Sequence, residues 1–272
     1  MTYPLLPKLK KGVHLKSNAA FEWILSRELI SSGLFVVAAC LSLGWSFILI
    51  VGIVLGVVAL GKGFFHVTKR STAPSVDLSL LNQALLLCLF LPAELPKVVA
   101  ALGAMALLLF YRVCGGRLGY ALQPVCLTLV TFLAFESKPG FQLENLSLAS
   151  AGIILLIVFA IRFPRSLMEL QRMAFIFAGA VACSMLQEIN FVAALLGCFV
   201  MGELIFDPAL APLSKKGRLA HQAVTLILFI FLLLATSWAE AFILTGLVMS
   251  FISGWMEQKS LVSKVKNYAK KN

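Results

Sequence analysis

Ten apolar stretches, joined by connections whose basic residues fall on alternate sides, leave this chain few ways to fold. They lie at about Leu29–Leu43, Ser46–Phe65, Leu78–Leu91, Lys97–Val113, Gln123–Phe135, Leu148–Ile161, Ala174–Leu186, Phe191–Phe206, His221–Ala235 and Ala241–Trp255. With the N-terminus inside, only Lys97 and Lys138 of the 23 lysines and arginines fall in outer connections. Short loops of polytopic membrane proteins hold their Lys and Arg on the cytoplasmic side, and a miscounted span would scramble that alternation. The expectation is a multi-pass membrane protein with both termini cytoplasmic.

A chain that is 60% apolar and 13% charged lies outside the range of soluble domains. Backbone polar groups inside a bilayer must be satisfied internally, which favours helices, and no ten-residue alternation of a β-barrel is present. The predicted fold class is all-α integral membrane. Several stretches fall short of the roughly 20 residues that a crossing requires, Leu78–Leu91 and Gln123–Phe135 most clearly. Tilted thin spans and half-helices meeting near the midplane both fit.

The ten stretches divide at Glu136–Ser147 into two sets of five, about residues 29–136 and 147–258. Each set has a proline-rich hinge after its third stretch, Leu91–Pro96 and Asp207–Pro212. Because five is odd, the second set enters from the opposite side, which is the arrangement of an inverted repeat. Residues 1–28 read as a basic cytoplasmic segment, and residues 259–272 as a basic tail against the lipid surface. No apolar core of a cleavable signal peptide appears in Met1–Arg27. Gly52, Gly56 and Gly61, and Gly197 and Gly202, suit close helix approach.

The net charge of +11 flanks hydrophobic spans rather than covering one soluble face. It fits an anionic bilayer better than nucleic acid. Cys40, Cys88, Cys114, Cys126, Cys183 and Cys198 form no C-x-x-C pair and read as small packing residues. His14, His66 and His221 are far apart in sequence and do not read as metal ligands.

Ionisable groups at membrane depth are costly and mark function. Glu203 follows Gly202 in the eighth stretch, with Asp207 four residues later on the same helical face. The two read as an ion pathway, or as headgroup residues if the span ends at Gly202. Glu188, with Gln187 and Asn190, marks an outer end, and Glu240 an outer turn. Asn82 and Gln83 sit inside a short apolar helix and need partners across helices. Gly115 and Gly116 precede Gln123-Pro124, which opens another short helix. Such a glycine-rich turn into a helix N-terminus can present N–H groups to a ligand, or be a plain tight turn.

Three segments in register resemble the NqrB/RnfD family, membrane subunits of the Na⁺-translocating NADH:quinone oxidoreductase and the Rnf electron-transport complex. They are Asp77–Leu87 running on to Pro92 and Pro96, the turn Gly115-Gly116-Arg117-Leu118-Gly119 through Pro124, and Phe206-Asp207-Pro208 followed by Gly217-Arg218-Leu219. The resemblance spans about Gly12–Lys264. It implies ten helices in inverted five-helix halves, a bacterial inner membrane and redox partner subunits. It also implies a central cleft near Asn82, Gln83, Gly115, Gly116, Gln123 and Pro124. Family members carry FMN on a threonine between the fifth and sixth spans, whereas Glu136–Ser147 has no threonine. Gln83-Ala84 replaces the family's threonine-glycine, and Tyr120 and Gln123 replace its asparagines. The expectation is therefore no covalent FMN, with non-covalent flavin or quinone left open. The rival expectation is a stand-alone channel or transporter for a small solute or ion.

Overall fold

The computed structural model describes residues 12–69, 77–114, 123–134, 142, 146–161, 167–205 and 215–269. Among them are ten helices and no strand: α1 Gly12–Leu43, α2 Trp45–Lys69, α3 Leu78–Phe90, α4 Lys97–Val113, α5 Pro124–Ala134, α6 Leu148–Ile161, α7 Leu167–Leu186, α8 Phe191–Ile205, α9 Lys215–Leu233 and α10 Trp238–Ala269. Each apolar stretch of the sequence became one helix. Two contain a long apolar window, Ser26–Leu43 and Trp45–Phe64, of 18 and 20 residues, and the other apolar helices are shorter.

The ends differ most from the sequence map. Helix α1 begins at Gly12 rather than near Leu29, so it absorbs most of the supposed N-terminal segment, and α10 continues to Ala269 through most of the basic tail. Hydropathy alone placed those boundaries where polar residues begin. A helix continues through polar residues as long as nothing breaks its hydrogen bonding.

Local chemistry explains where the helices stop and start. Gly44 turns the chain between α1 and α2 with φ +73, a conformation that only glycine adopts cheaply, and its N–H donates to Cys40 O at 3.0 Å. Asp77 caps α3 by accepting from Leu80 N at 3.3 Å, and Tyr111 at the end of α4 donates its hydroxyl to both Asp77 oxygens at 3.1 Å. Leu91, which precedes Pro92, is extended and ends α3. Pro124 occupies the first turn of α5, where its missing N–H costs nothing. At α10, Ser237 and Glu240 form a reciprocal capping box: Ser237 N donates to Glu240 Oε2 at 3.1 Å and Glu240 N to Ser237 Oγ at 3.4 Å. Glu188, in the turn after α7, is exposed and left-handed at φ 54.

Packing is organised around α3 and α8. Every residue of α3 from Ser79 to Phe90 is buried except Leu81, and Leu196–Gly202 of α8 is buried throughout. Within the first five helices the principal contacts are α1·α3, α2·α3, α2·α4, α3·α5 and α4·α5. The same order recurs in the second five as α6·α8, α7·α8, α7·α9, α8·α10 and α9·α10, while α1·α6 and α5·α10 join the sets.

Small residues set the closest approaches, though not all those expected. A Cβ on Gly61 would meet Leu108 of α4 at 2.5 Å, and one on Gly202 would meet Ile176 of α7 at 2.9 Å. At Gly197 it would run into the Trp238 ring, and at Gly103 into Phe132 at 2.5 Å. A Cβ on Gly52 or Gly56 would meet nothing within 4 Å among the described residues, so no close packing against those residues requires glycine there. Gly197→Leu is expected to cost about 1–3 kcal/mol by overpacking. Gly52→Leu should stay within about 0.5 kcal/mol. Unfolding midpoints of the two variants in detergent measure the difference, and equal values would contradict the packing at Trp238.

The outer surface is apolar. Leu41, Leu60 and Met185 are 83%, 76% and 78% exposed, and exposed Leu, Ile, Val, Phe or Met side chains occur on α1, α2, α4, α6, α7, α9 and α10.

Candidate functional site

Polar side chains gather where one end of several helices meets. Helix α8 ends at Ile205, and the last carbonyls of any helix lack partners within it. Two of them are met from other elements: Arg172 Nη2 of α7 donates to Gly202 O at 2.7 Å, and Gln123 Nε2 donates to Leu204 O at 2.7 Å. Gln123 also donates its backbone N–H to Ser250 Oγ of α10 at 3.2 Å. The end of α6 is closed in the same way, with Arg27 of α1 donating through Nε to Ile161 O at 3.0 Å and also through Nη2.

Among the described side chains, the Glu28 carboxylate joins this seam. Glu28 is 0% exposed, and its Oε1 lies 3.7 Å from Arg172 Nη1, whose side chain is 17% exposed. Counted at about 1.5 Å per residue, Glu28 is about 22 Å from the Leu43 end of α1 and Arg172 about 21 Å from the Leu186 end of α7. On the same scale Ser250 is about 18 Å from the Trp238 end of α10 and Gly202 about 17 Å from the Phe191 end of α8. The seam therefore lies at a similar level on helices from both five-helix sets.

The residues singled out from sequence are partly brought together here. Gln123 and Pro124 open α5 as expected, and Gln123 reaches the α8 end at the residue following Glu203. Glu203 lies within α8, in its last turn, so the helix does not end at Gly202. The Glu203 side chain, Gly115, Gly116 and Asp207 lie outside the described residues, as does the shared face proposed for Glu203 and Asp207. Asn82 and Gln83 are fully buried in α3. The expected cross-helix partner of Asn82 is absent, since neither carboxamide atom has a hydrogen-bond partner among the described residues.

An unpaired buried amide is costly. Asn82→Leu is therefore expected to raise stability by about 1–3 kcal/mol. A lower unfolding midpoint would instead show that the carboxamide is paired in solution.

Sequence reading missed Glu28 and Arg172. Glu28 follows Arg27 and Arg172 is itself basic, so both read as cytoplasmic connections, whereas α1 and α7 start before them. The usable signal was the helix-compatible run Ala19–Ile30, which has no Gly or Pro to stop it. At the opposite end of the bundle, Gln187 donates to Leu233 O at 2.7 Å and ties α7 to α9. No group of three His, Cys, Asp or Glu is gathered among the described residues. No protein-family profile matches the chain, and no curated protein does.

The seam is not built like a nucleophile with its base. Among the described residues it includes helix-end carbonyls, an amide, a hydroxyl and the Glu28–Arg172 ion pair, a set suited to holding charge or polar groups away from water.

Proposed function

We propose that this chain is a multi-pass inner-membrane protein of two oppositely oriented five-helix halves, serving as an NqrB/RnfD-like subunit of a redox-linked electron-transport complex. The recurrence of one helix-pairing order in both halves carries this reading. Five helices per half reverse the direction of the second half, and the joining pairs α1·α6 and α5·α10 each match equivalent helices. An apolar exterior on nearly every outer helix suits lipid, because a soluble monomer rarely exposes so much contiguous apolar surface. A bilayer core is about 30 Å thick, so a seam about 17–22 Å along the helices falls inside it. Both termini are then cytoplasmic.

The redox role rests on the three motif segments in register. Within it the chain supports partner subunits and takes non-covalent flavin or quinone rather than covalent FMN. Purification from native membranes tests this reading. Partner redox subunits or an extractable flavin support it, and a colourless protein purified alone removes it.

The second reading, an ion or small-solute transporter, is favoured by the ion pair between helices of opposite halves, Glu28 on α1 and Arg172 on α7. Solute flux into proteoliposomes holding this chain alone distinguishes the two.

A further inference from the structure

The geometry points to a reversible disulfide between Cys183 of α7 and Cys198 of α8, a staple that locks the two helices together. The inference goes beyond the functional reading above and stands whichever of the two roles the chain has. Both cysteines are 0% exposed, and their side chains are hydrogen-bond partners of each other. A disulfide joins Cα atoms about 4.4–6.8 Å apart, so only helices in close contact can form one. Small residues provide that contact here. A Cβ on Gly179, one turn before Cys183, would lie 3.3 Å from Cys198 Sγ. The Cys198 sulfur therefore rests against the α7 backbone near the turns of Gly179 and Cys183. One turn farther along α8, a Cβ on Gly202 would meet Ile176 of α7 at 2.9 Å, so the close approach runs along the interface. Closing the bond needs a rotation of two side chains, not an approach of two helices.

Burial selects which thiol chemistry fits. A charged thiolate centre is costly away from water, whereas the dithiol and the disulfide are both neutral. Oxidation also adds no atom to a packed place: the sulfurs move from hydrogen-bond contact to about 2.05 Å. Two S–H bonds break and one S–S bond forms, and the two electrons and two protons pass to a small-molecule disulfide, which leaves as two thiols. Cys183 lies three residues from the Leu186 end of α7, where opening of the last turn admits the oxidant. The same opening lets a thiol reductant reverse the bond.

The test treats the purified, reduced chain in detergent with diamide, a neutral oxidant whose N=N bond takes up the two electrons and two protons. Diamide is removed, free thiols are alkylated in denaturant, and a tryptic digest is read by mass spectrometry with and without reduction. Trypsin leaves Cys183 and Cys198 together, and no other cysteine, in the peptide 173–215. That peptide is expected to carry no alkyl group and to be two hydrogens lighter than the dithiol, and to take two alkyl groups after reduction. In Cys183→Ser or Cys198→Ser the remaining thiol should be alkylated without reduction. A wild-type peptide that takes two alkyl groups without reduction, or whose cysteines are bonded only to other peptides, would overturn the staple. The wild-type readout decides even where a serine variant fails to fold. Neither flavin, partner subunit nor transported solute enters the experiment, so its failure leaves both functional readings standing, and their loss leaves it intact.

Discussion

Arg172→Leu is expected to destabilise the protein by about 3–5 kcal/mol, among the largest effects of any single change in the seam. The substitution removes the guanidinium 3.7 Å from the Glu28 carboxylate, which is 0% exposed, and the donor at 2.7 Å from Gly202 O. Removing both charges, Glu28→Leu with Arg172→Leu, should cost much less than Arg172→Leu alone. A buried pair replaced by apolar residues of similar volume is often near neutral, whereas a broken one leaves an uncompensated charge. A double-mutant cycle on unfolding midpoints measures the coupling. Additive losses would mean that the two groups do not sense each other.

The second large effect belongs to Gln123→Leu. Its carboxamide satisfies Leu204 O at 2.7 Å at the α8 end, where no water reaches a residue that is 0% exposed. The leucine keeps the volume and removes the donor, so the carbonyl is left unpaired at a cost of about 1–3 kcal/mol. Gln123→Glu tests the chemistry further, because a carboxylate cannot donate and would repel the carbonyl. It should destabilise at least as much as leucine. Ser250→Ala removes only the acceptor for the Gln123 N–H and is expected to cost less, about 1 kcal/mol. If Gln123→Leu unfolded like wild type, the α8 end would have another donor.

Much of the helix layout was legible in the chain. Lys97–Val113 and Leu148–Ile161 form helices over the residues that hydropathy marks, and Pro124 starts α5 as proline does at a first turn. These features depend on neighbours within a turn or two. Gln123 at the head of α5 was legible for the same reason. Glu28 and Arg172 were not, because a charged residue at the edge of an apolar stretch looks solvated when judged by sequence alone. Gly52 and Gly197 look alike in sequence too, yet among the described residues one has no neighbour within reach of a Cβ and the other meets a tryptophan ring.

The sequence by itself determined the ten helices found among the described residues and their order. Apolar runs, prolines and capping residues act locally, so these features are written in consecutive residues. Only the tertiary structure decided that Arg27 closes α6, that Arg172 bridges Glu28 and the end of α8, and that Asn82 has no hydrogen-bond partner among the described residues. Those outcomes depend on which helix ends are packed side by side, and residues 134 or 144 positions apart in the chain carry no local mark of meeting.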